Sequence, residues 1–168
     1  STGLTASDCR LAVAGSLLIA GGLGLSACST NPATGEQSFT AFMSPSDEME
    51  IGAEEHPKVM KEFGGAYEDA DVRRYVTSIG RFLASSSEMS DLPFTFTVLD
   101  SPVVNAFALP GGYVYVTRGL MALANSEAEL AGVVAHEIGH VTGRHTAQRY
   151  SQAVAASIGV NILSILVD

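Results

Sequence analysis

The sequence predicts an α+β fold, mainly helical, with a small three-stranded sheet beside one motif-bearing helix. Three observations lead there. Apolar residues recur at helical spacing before about position 85 and again after position 126. Between them, "FTFTVLD" (Phe94 to Asp100) alternates large apolar residues with Thr and is β-branched or aromatic almost throughout, and "NAFALPGGYVYVT" (Asn105 to Thr117) reads as two short strands about a Pro-Gly-Gly turn. Helices and strands thus fall in separate blocks, which is the α+β arrangement. At 168 residues the chain is one domain, or one domain plus a tail, and 46% hydrophobic residues suffice for a core.

Residues 1–27 read as an address. "LAVAGSLLIAGGLGL" (Leu11 to Leu25) follows Arg10, as an h-region follows a positive n-region. "LSACS" then resembles the bacterial lipobox, which makes Cys28 the expected lipidation site and 1–27 a lipoprotein signal peptide. An uncleaved membrane anchor is the alternative, although the run is short for a span of about 20 residues and its glycines weaken it as a helix. With Ser29 after the cysteine, the lipobox resemblance implies sorting to the outer membrane. Residues 28–43, including "STNPATGEQS", lack periodicity and are expected to form a flexible tether. Cys9 and Cys28 have no metal-binding spacing, and Cys9 would leave with the signal.

The body, 44–168, opens with a helix start: Ser44 as N-cap, Pro45 at the first position and Asp47 three residues on. Pro57 is expected to kink or divide this helix, and Gly64-Gly65 to end it. A second helix from about Asp71 carries a stripe of Val72, Tyr75, Val76, Ile79, Phe82 and Leu83. After the Phe94 to Asp100 strand, Asn105 to Leu109 and Tyr113 to Thr117 form two strands joined by a Pro-Gly-Gly turn. Leu120 to Ala124 is a short helix. Ser126 and Glu129 form a capping box for the next one, buried through Leu130, Val133, Val134 and Ile138. The apolar end, Ala153 to Val167, reads as a core helix cut off partway, or as a segment dipping into a membrane. A net charge of −9 argues against a nucleic-acid partner. Nine of the eighteen acids fall between Asp47 and Asp71 and read as a solvated helical face, with a docking surface for a basic partner as the alternative.

The chemistry lies in "VVAHEIGHVTGRH" (Val133 to His145). Four residues of α-helix turn about 400°, so His136 and His140 project from one face and can share one Zn2+. Glu137, to the side of the ion, is placed to take a proton from an attacking water and return one to a departing amine. A pair of core histidines is the bland alternative. His145 lies five residues beyond His140 and, on a continuing helix, about 140° away, so it is expected to face elsewhere and be structural. Metzincin peptidases place a third His six residues after the second, where this chain has Thr146.

From Asn105 to His145 the chain resembles the HtpX and CAAX-prenyl-protease family of zinc metallopeptidases. "EIGAEEHPKVMKEFGG" and the lipobox are similar to its periplasmic BepA/LoiP-like lipoprotein branch. The resemblance covers about Ser44 to His145. It implies a gluzincin site whose third ligand is a Glu many residues after His140; the only acid after Glu137 is Asp168, so that ligand is expected beyond Asp168. Residues 44–168 are accordingly expected to be the N-terminal part of a metallopeptidase domain, either a fragment of a longer frame or a natural short form without activity. The resemblance further implies a metalloendopeptidase acting on misfolded or unassembled envelope proteins, held by lipid on the periplasmic face of the outer membrane. A non-catalytic lipoprotein acting as holdase or adaptor is the alternative. Asn105, Ala106 and Phe107 resemble the edge strand that holds extended substrate in thermolysin-like peptidases, and an ordinary hairpin is the other reading.

Overall fold

The structure is a computed structural model that describes residues 28–30, 35 and 37–166. The expected signal peptide, 1–27, and residues 167–168 lie outside the described residues. The fold is α+β, as the separate blocks of periodicity require.

Part of the expected tether has regular structure. β1 (Cys28–Thr30) pairs antiparallel with β2 (Gln37–Phe39). After it, Phe39 meets Phe42 edge-on, Met43 is buried, and the Phe42 N–H donates to Ser151 Oγ at 3.2 Å. The apolar residues at its end, which composition alone averages away, join 39–43 to the body.

Helix α1 (Pro45–Glu62) starts as its signal predicts. Ser44 Oγ accepts from the Asp47 N–H, and Asp47 accepts from the Ser44 N–H at 2.7 Å. Pro57 does not divide it. Proline removes one helical hydrogen bond, but the helix is held on both sides of it, by Gly52 against the Pro110 turn and by Val59 in the core. Gly64 and Gly65 then take φ of +82° and +85° and end the turn. Along this acidic segment most carboxylates are exposed, as expected, but Glu48 is buried.

Helix α2 (Ala70–Ser85) is capped by Asp69, which accepts from the N–H groups of Asp71 and Val72. Its buried stripe runs through Val72, Val76, Ile79 and Leu83. Tyr75 and Phe82 were expected on that stripe and are exposed, at 39% and 72%. They flank it, and the small residues Gly80 and Ala84 take the contact instead. A Cβ at Gly80 would sit 2.5 Å from the Phe96 ring. Tyr75 donates to Glu127 at 3.0 Å, joining α2 to the motif helix.

The sheet consists of β3 (Thr95–Leu99), β4 (Ala106–Leu109) and β5 (Tyr113–Thr117), in the order β3-β5-β4. β5 is central, parallel to β3 and antiparallel to β4. The β4–β5 turn uses Gly111 and Gly112 at φ of +79° and +92°, conformations open to glycine. Alternation then sorts the side chains. Val98, Val114 and Val116 face α2 and the motif helix, while Leu99, Phe107, Leu109, Tyr113 and Tyr115 face α1. Both faces of β5 are therefore covered. Tyr115 is fully buried, its hydroxyl is 2.6 Å from His56 Nδ1, and burial, with Tyr113 beside it, pushes its pKa up to about 12.

Helix α3 (Arg118–Leu123) begins two residues earlier than expected, because Thr117 closes the strand and caps the helix through the Leu120 N–H. The motif helix α4 (Glu127–Thr142) and α5 (His145–Leu166) complete the chain. Helix α5 runs through the terminal apolar stretch. Among the described residues no helix is long and apolar enough to cross a membrane.

Helix α1 approaches the β4–β5 turn closely. A Cβ at Gly52 would lie 2.0 Å from the Pro110 carbonyl oxygen and 2.9 Å from the Tyr113 ring. A backbone atom cannot swing away, so Gly52→Ala is expected to destabilise the domain by about 1–3 kcal/mol, read as a lower urea midpoint.

Candidate active site

Helix α4 places the candidate site on its outer face by burying the opposite one. Ser126 caps it through the Glu129 N–H at 3.2 Å, while the Glu129 carboxylate accepts from the Asn125 N–H at 2.8 Å. The expected capping box is thus shifted by one residue on its return bond. Leu130, Val134 and Ile138 are buried against α2 and the sheet, and Val133 is half-buried. This leaves His136 exposed and His140 half-buried on the other side.

The two imidazoles converge. His136 Nε2 and His140 Nε2 are 3.1 Å apart, with the rings at 86° to one another. For metal–nitrogen bonds of about 2.0–2.1 Å, donors at that separation subtend about 100° at a shared ion, close to a tetrahedral angle. The pair therefore fits two vertices of a zinc site. Glu137 is buried at 9% exposure, with no hydrogen bond or ion pair among the described residues, and its carboxylate still reaches solvent. An unpartnered acid beside two convergent imidazoles is what a proton-transferring group needs. Among the described residues no set of three His, Cys, Asp or Glu side chains is placed to hold one ion.

His145 does not face elsewhere. The premise of a continuing helix fails, because α4 ends at Thr142, Gly143 caps it, and Arg144 takes φ of +50°. The chain turns at this break, and His145 opens α5 with its Nδ1 2.7 Å from His140 Nδ1. Gly143 was the available signal, since glycine after the last helical residue is the usual stop. Burial holds the His145 imidazole below its ordinary pKa, and His140, Arg149 and His136 act in the same direction.

Arg144 was not anticipated either. Its Nε donates to Glu48 Oε2 at 2.8 Å and its Nη2 to the Met43 carbonyl at 2.8 Å. Both side chains of the ion pair are 11% exposed. Burial raises the Glu48 pKa, against the lowering effect of Arg144. The partners lie 96 positions apart, and nothing local in either segment points to the other.

Beside the histidines runs β4, an edge strand packed on α4. Asn105 spends its backbone on Thr117, whose N–H donates to the Asn105 carbonyl at 3.1 Å and whose Oγ1 accepts from its N–H. Alternation along the strand then turns the N–H and C=O groups of Ala106 and Ala108 to the open edge. The Phe107 ring is a core group, stacked on Tyr115 at 4.9 Å and against Phe63 at 5.2 Å. Ala108 and Leu109 line a small cavity together with His140.

Comparison with known proteins identifies the family. The model of peptidase family M48 matches residues 70–167. The beta-barrel assembly-enhancing protease of Escherichia coli is 39% identical over 80 residues, 48% of this chain and 16% of that protein. Its Vibrio cholerae counterpart is 41% identical over 101 residues, 56% of this chain and 21% of that one. The mitochondrial metalloendopeptidase OMA1 of Schizosaccharomyces pombe is 32% identical over 125 residues, 72% of this chain and 36% of its own length. The chain thus spans about a third or less of these relatives. With the family match covering more than half of its residues, the chain belongs to peptidase family M48, a family of metallopeptidases.

Proposed function

We propose that this chain carries the metal-binding helix and substrate-facing strand of a zinc endopeptidase of the bacterial envelope. The observation that carries this reading is the convergence of His136 and His140 Nε2 at 3.1 Å beside the unpartnered Glu137. His136 and His140 would hold the zinc, and a carboxylate from outside the described residues would be the third ligand. When bound, the ion supplies Lewis acidity, polarising the scissile carbonyl and acidifying a water. Glu137 takes the proton of that water as it attacks and passes one to the departing amine. The open edge of β4 holds the peptide extended through the N–H and C=O groups of Ala106 and Ala108, with the Asn105 side chain at the strand's start. Phe107 contributes through backbone position, since its ring belongs to the core.

Location and substrate follow from other support. The lipobox at Cys28 favours a lipid anchor on the periplasmic face of the outer membrane, and the bacterial relatives are named for assembly of β-barrels. Misfolded or unassembled envelope proteins are the substrates this favours. The test is zinc stoichiometry, by elemental analysis after gel filtration of Cys28 to Asp168 with Cys28→Ser. This chain alone is expected to retain well under one zinc, and a longer form with the added carboxylate about one. Equal, negligible retention by both would sink the zinc reading.

A second reading, a non-catalytic holdase or adaptor, draws on the open edge of β4, which could hold an extended client without hydrolysing it. Such a protein would protect unfolded clients equally well with Glu137→Gln.

A further inference from the structure

Next to the histidine pair lies a buried ion pair for which the proposed hydrolysis has no use. Helix α4 stops at Thr142, and α5 starts at His145, with only Gly143 and Arg144 between them. Between the two helices Arg144 adopts φ of +50°, a region disfavoured for a residue with a Cβ. Something must hold it there. Its guanidinium reaches 96 positions back, to Glu48 on α1 and to the carbonyl of Met43 just before it. The Gln148 side chain holds the other side of the joint, donating to the Gly143 carbonyl at 2.7 Å.

The joint has one visible consequence at the site: it lays the His145 ring against His140. Gly143 makes the room, since a Cβ there would lie 2.6 Å from His145 Nε2. A contact of 2.7 Å between two Nδ1 atoms is a hydrogen bond only if one carries the proton and the other does not. For His140 Nε2 to offer a lone pair beside His136 Nε2, His140 must be protonated on Nδ1 and donate to His145. His145 then carries its own proton on Nε2. The choice of tautomer at His140 thus depends on where His145 stands, and that depends on the joint.

We propose that Glu48 and Arg144 form a positioning brace, locking the left-handed joint so that His145 fixes the ring orientation and tautomer of His140. The role deepens the proposed function and rests on His140 being a metal ligand. Glu48, His140 and Arg144 line one small cavity together with Leu109 and Pro110 at the β4 end. Helix α1 is in turn anchored on that turn, where Gly111 packs against the backbone of Glu48 and Met49. The brace therefore ties the ligand-bearing helix to the substrate-facing strand through α1.

The test is made first without metal. In the 15N-labelled chain, above the imidazole titration range, the ring nitrogens of His140 and His145 should each report a single tautomer. Arg144→Gly removes the guanidinium while allowing the left-handed backbone without strain. It should leave far-UV dichroism unchanged and move His140 to a mixture of tautomers. Gly143→Ala leaves the brace intact but displaces the His145 ring, and should give the same mixture. In the second arm Co2+ is the probe, and each variant should bind it about 10- to 100-fold more weakly, the range for loss of a partner to a ligating imidazole. Arg144→Gly combined with His145→Ala should be no weaker than the worse single variant, because both act through one contact. A single His140 tautomer in folded Arg144→Gly, or factors that multiply in the double variant, would overturn the proposal. If Arg144→Gly does not fold, Arg144→Asn, which also lacks the guanidinium and tolerates the left-handed region, decides by the same spectra: a His140 signal identical to the parent's overturns the brace, and a mixture supports it. The Co2+ arm uses the longer form with the added carboxylate, and failure of that parent form to bind Co2+ would count against the metal reading alone, since the metal-free spectra judge the brace separately.

Discussion

Glu137→Gln is expected to lower peptide hydrolysis by about 10²- to 10⁴-fold, the usual contribution of a positioned acid–base group, in a form that carries all three metal ligands. Zinc content and thermal midpoint should stay at the parent values. The split follows from position. Glu137 sits between the two histidines in sequence, is buried at 9% exposure, and holds up nothing in the fold by hydrogen bond or ion pair among the described residues. An amide of the same shape removes the base and leaves the packing alone. Hydrolysis assayed on an unfolded client, with zinc measured on the same sample, gives both readouts. Retained hydrolysis would remove Glu137 from the mechanism. Lost zinc together with lost hydrolysis would make it a structural residue of the site.

Glu48→Ala should be the most destabilising single change, by about 3–5 kcal/mol, read by urea unfolding. Both members of the pair are only 11% exposed, so removing the carboxylate leaves the Arg144 charge buried beside a small void. Glu48→Gln should cost no more than about 1 kcal/mol, because the amide oxygen still accepts from the guanidinium. The parent and Glu48→Gln also differ with pH. Burial raises the Glu48 pKa more than Arg144 lowers it, so the folded state holds that proton more tightly than the unfolded chain does. The stability due to this group is therefore complete below the ordinary carboxylate value and is lost as pH rises through the raised one. Parent and Glu48→Gln should be closest in stability at acid pH, and the parent should fall relative to the variant as pH rises out of the carboxylate range. A constant difference across that range would show that Arg144 fully offsets the cost of burial.

Local signals set much of this architecture. The N-cap at Ser44, the alternation along Thr95–Leu99, the aromatic and β-branched run Tyr113–Thr117 and the Gly111-Gly112 turn act within a few residues, where backbone preference and side-chain chemistry are strong. They were legible for that reason. The errors arose where a distant contact outweighed a local preference. Pro57 lies within an unbroken helix because packing on both sides holds it. Phe82 is 72% exposed because Gly80 and Ala84 allow the closer approach.

The candidate site divides in the same way. His136, Glu137 and His140 could be read from the chain because helical geometry alone puts two residues four apart on one face. His145 could not be, although Gly143 signals a helix stop. Where the chain goes after a helix stop is a tertiary matter, and here an ion pair across 96 positions decides it. By itself, then, the sequence determined the helix that bears the histidines, the strands beside it and the chemistry they suggest. Only the tertiary structure decided that Glu48 is buried, that Arg144 turns the chain through a left-handed joint, and that His145 returns to His140. The physical reason is range: helix, strand and turn preferences act between near neighbours, whereas burial and ion pairing act between whichever residues the completed fold brings together.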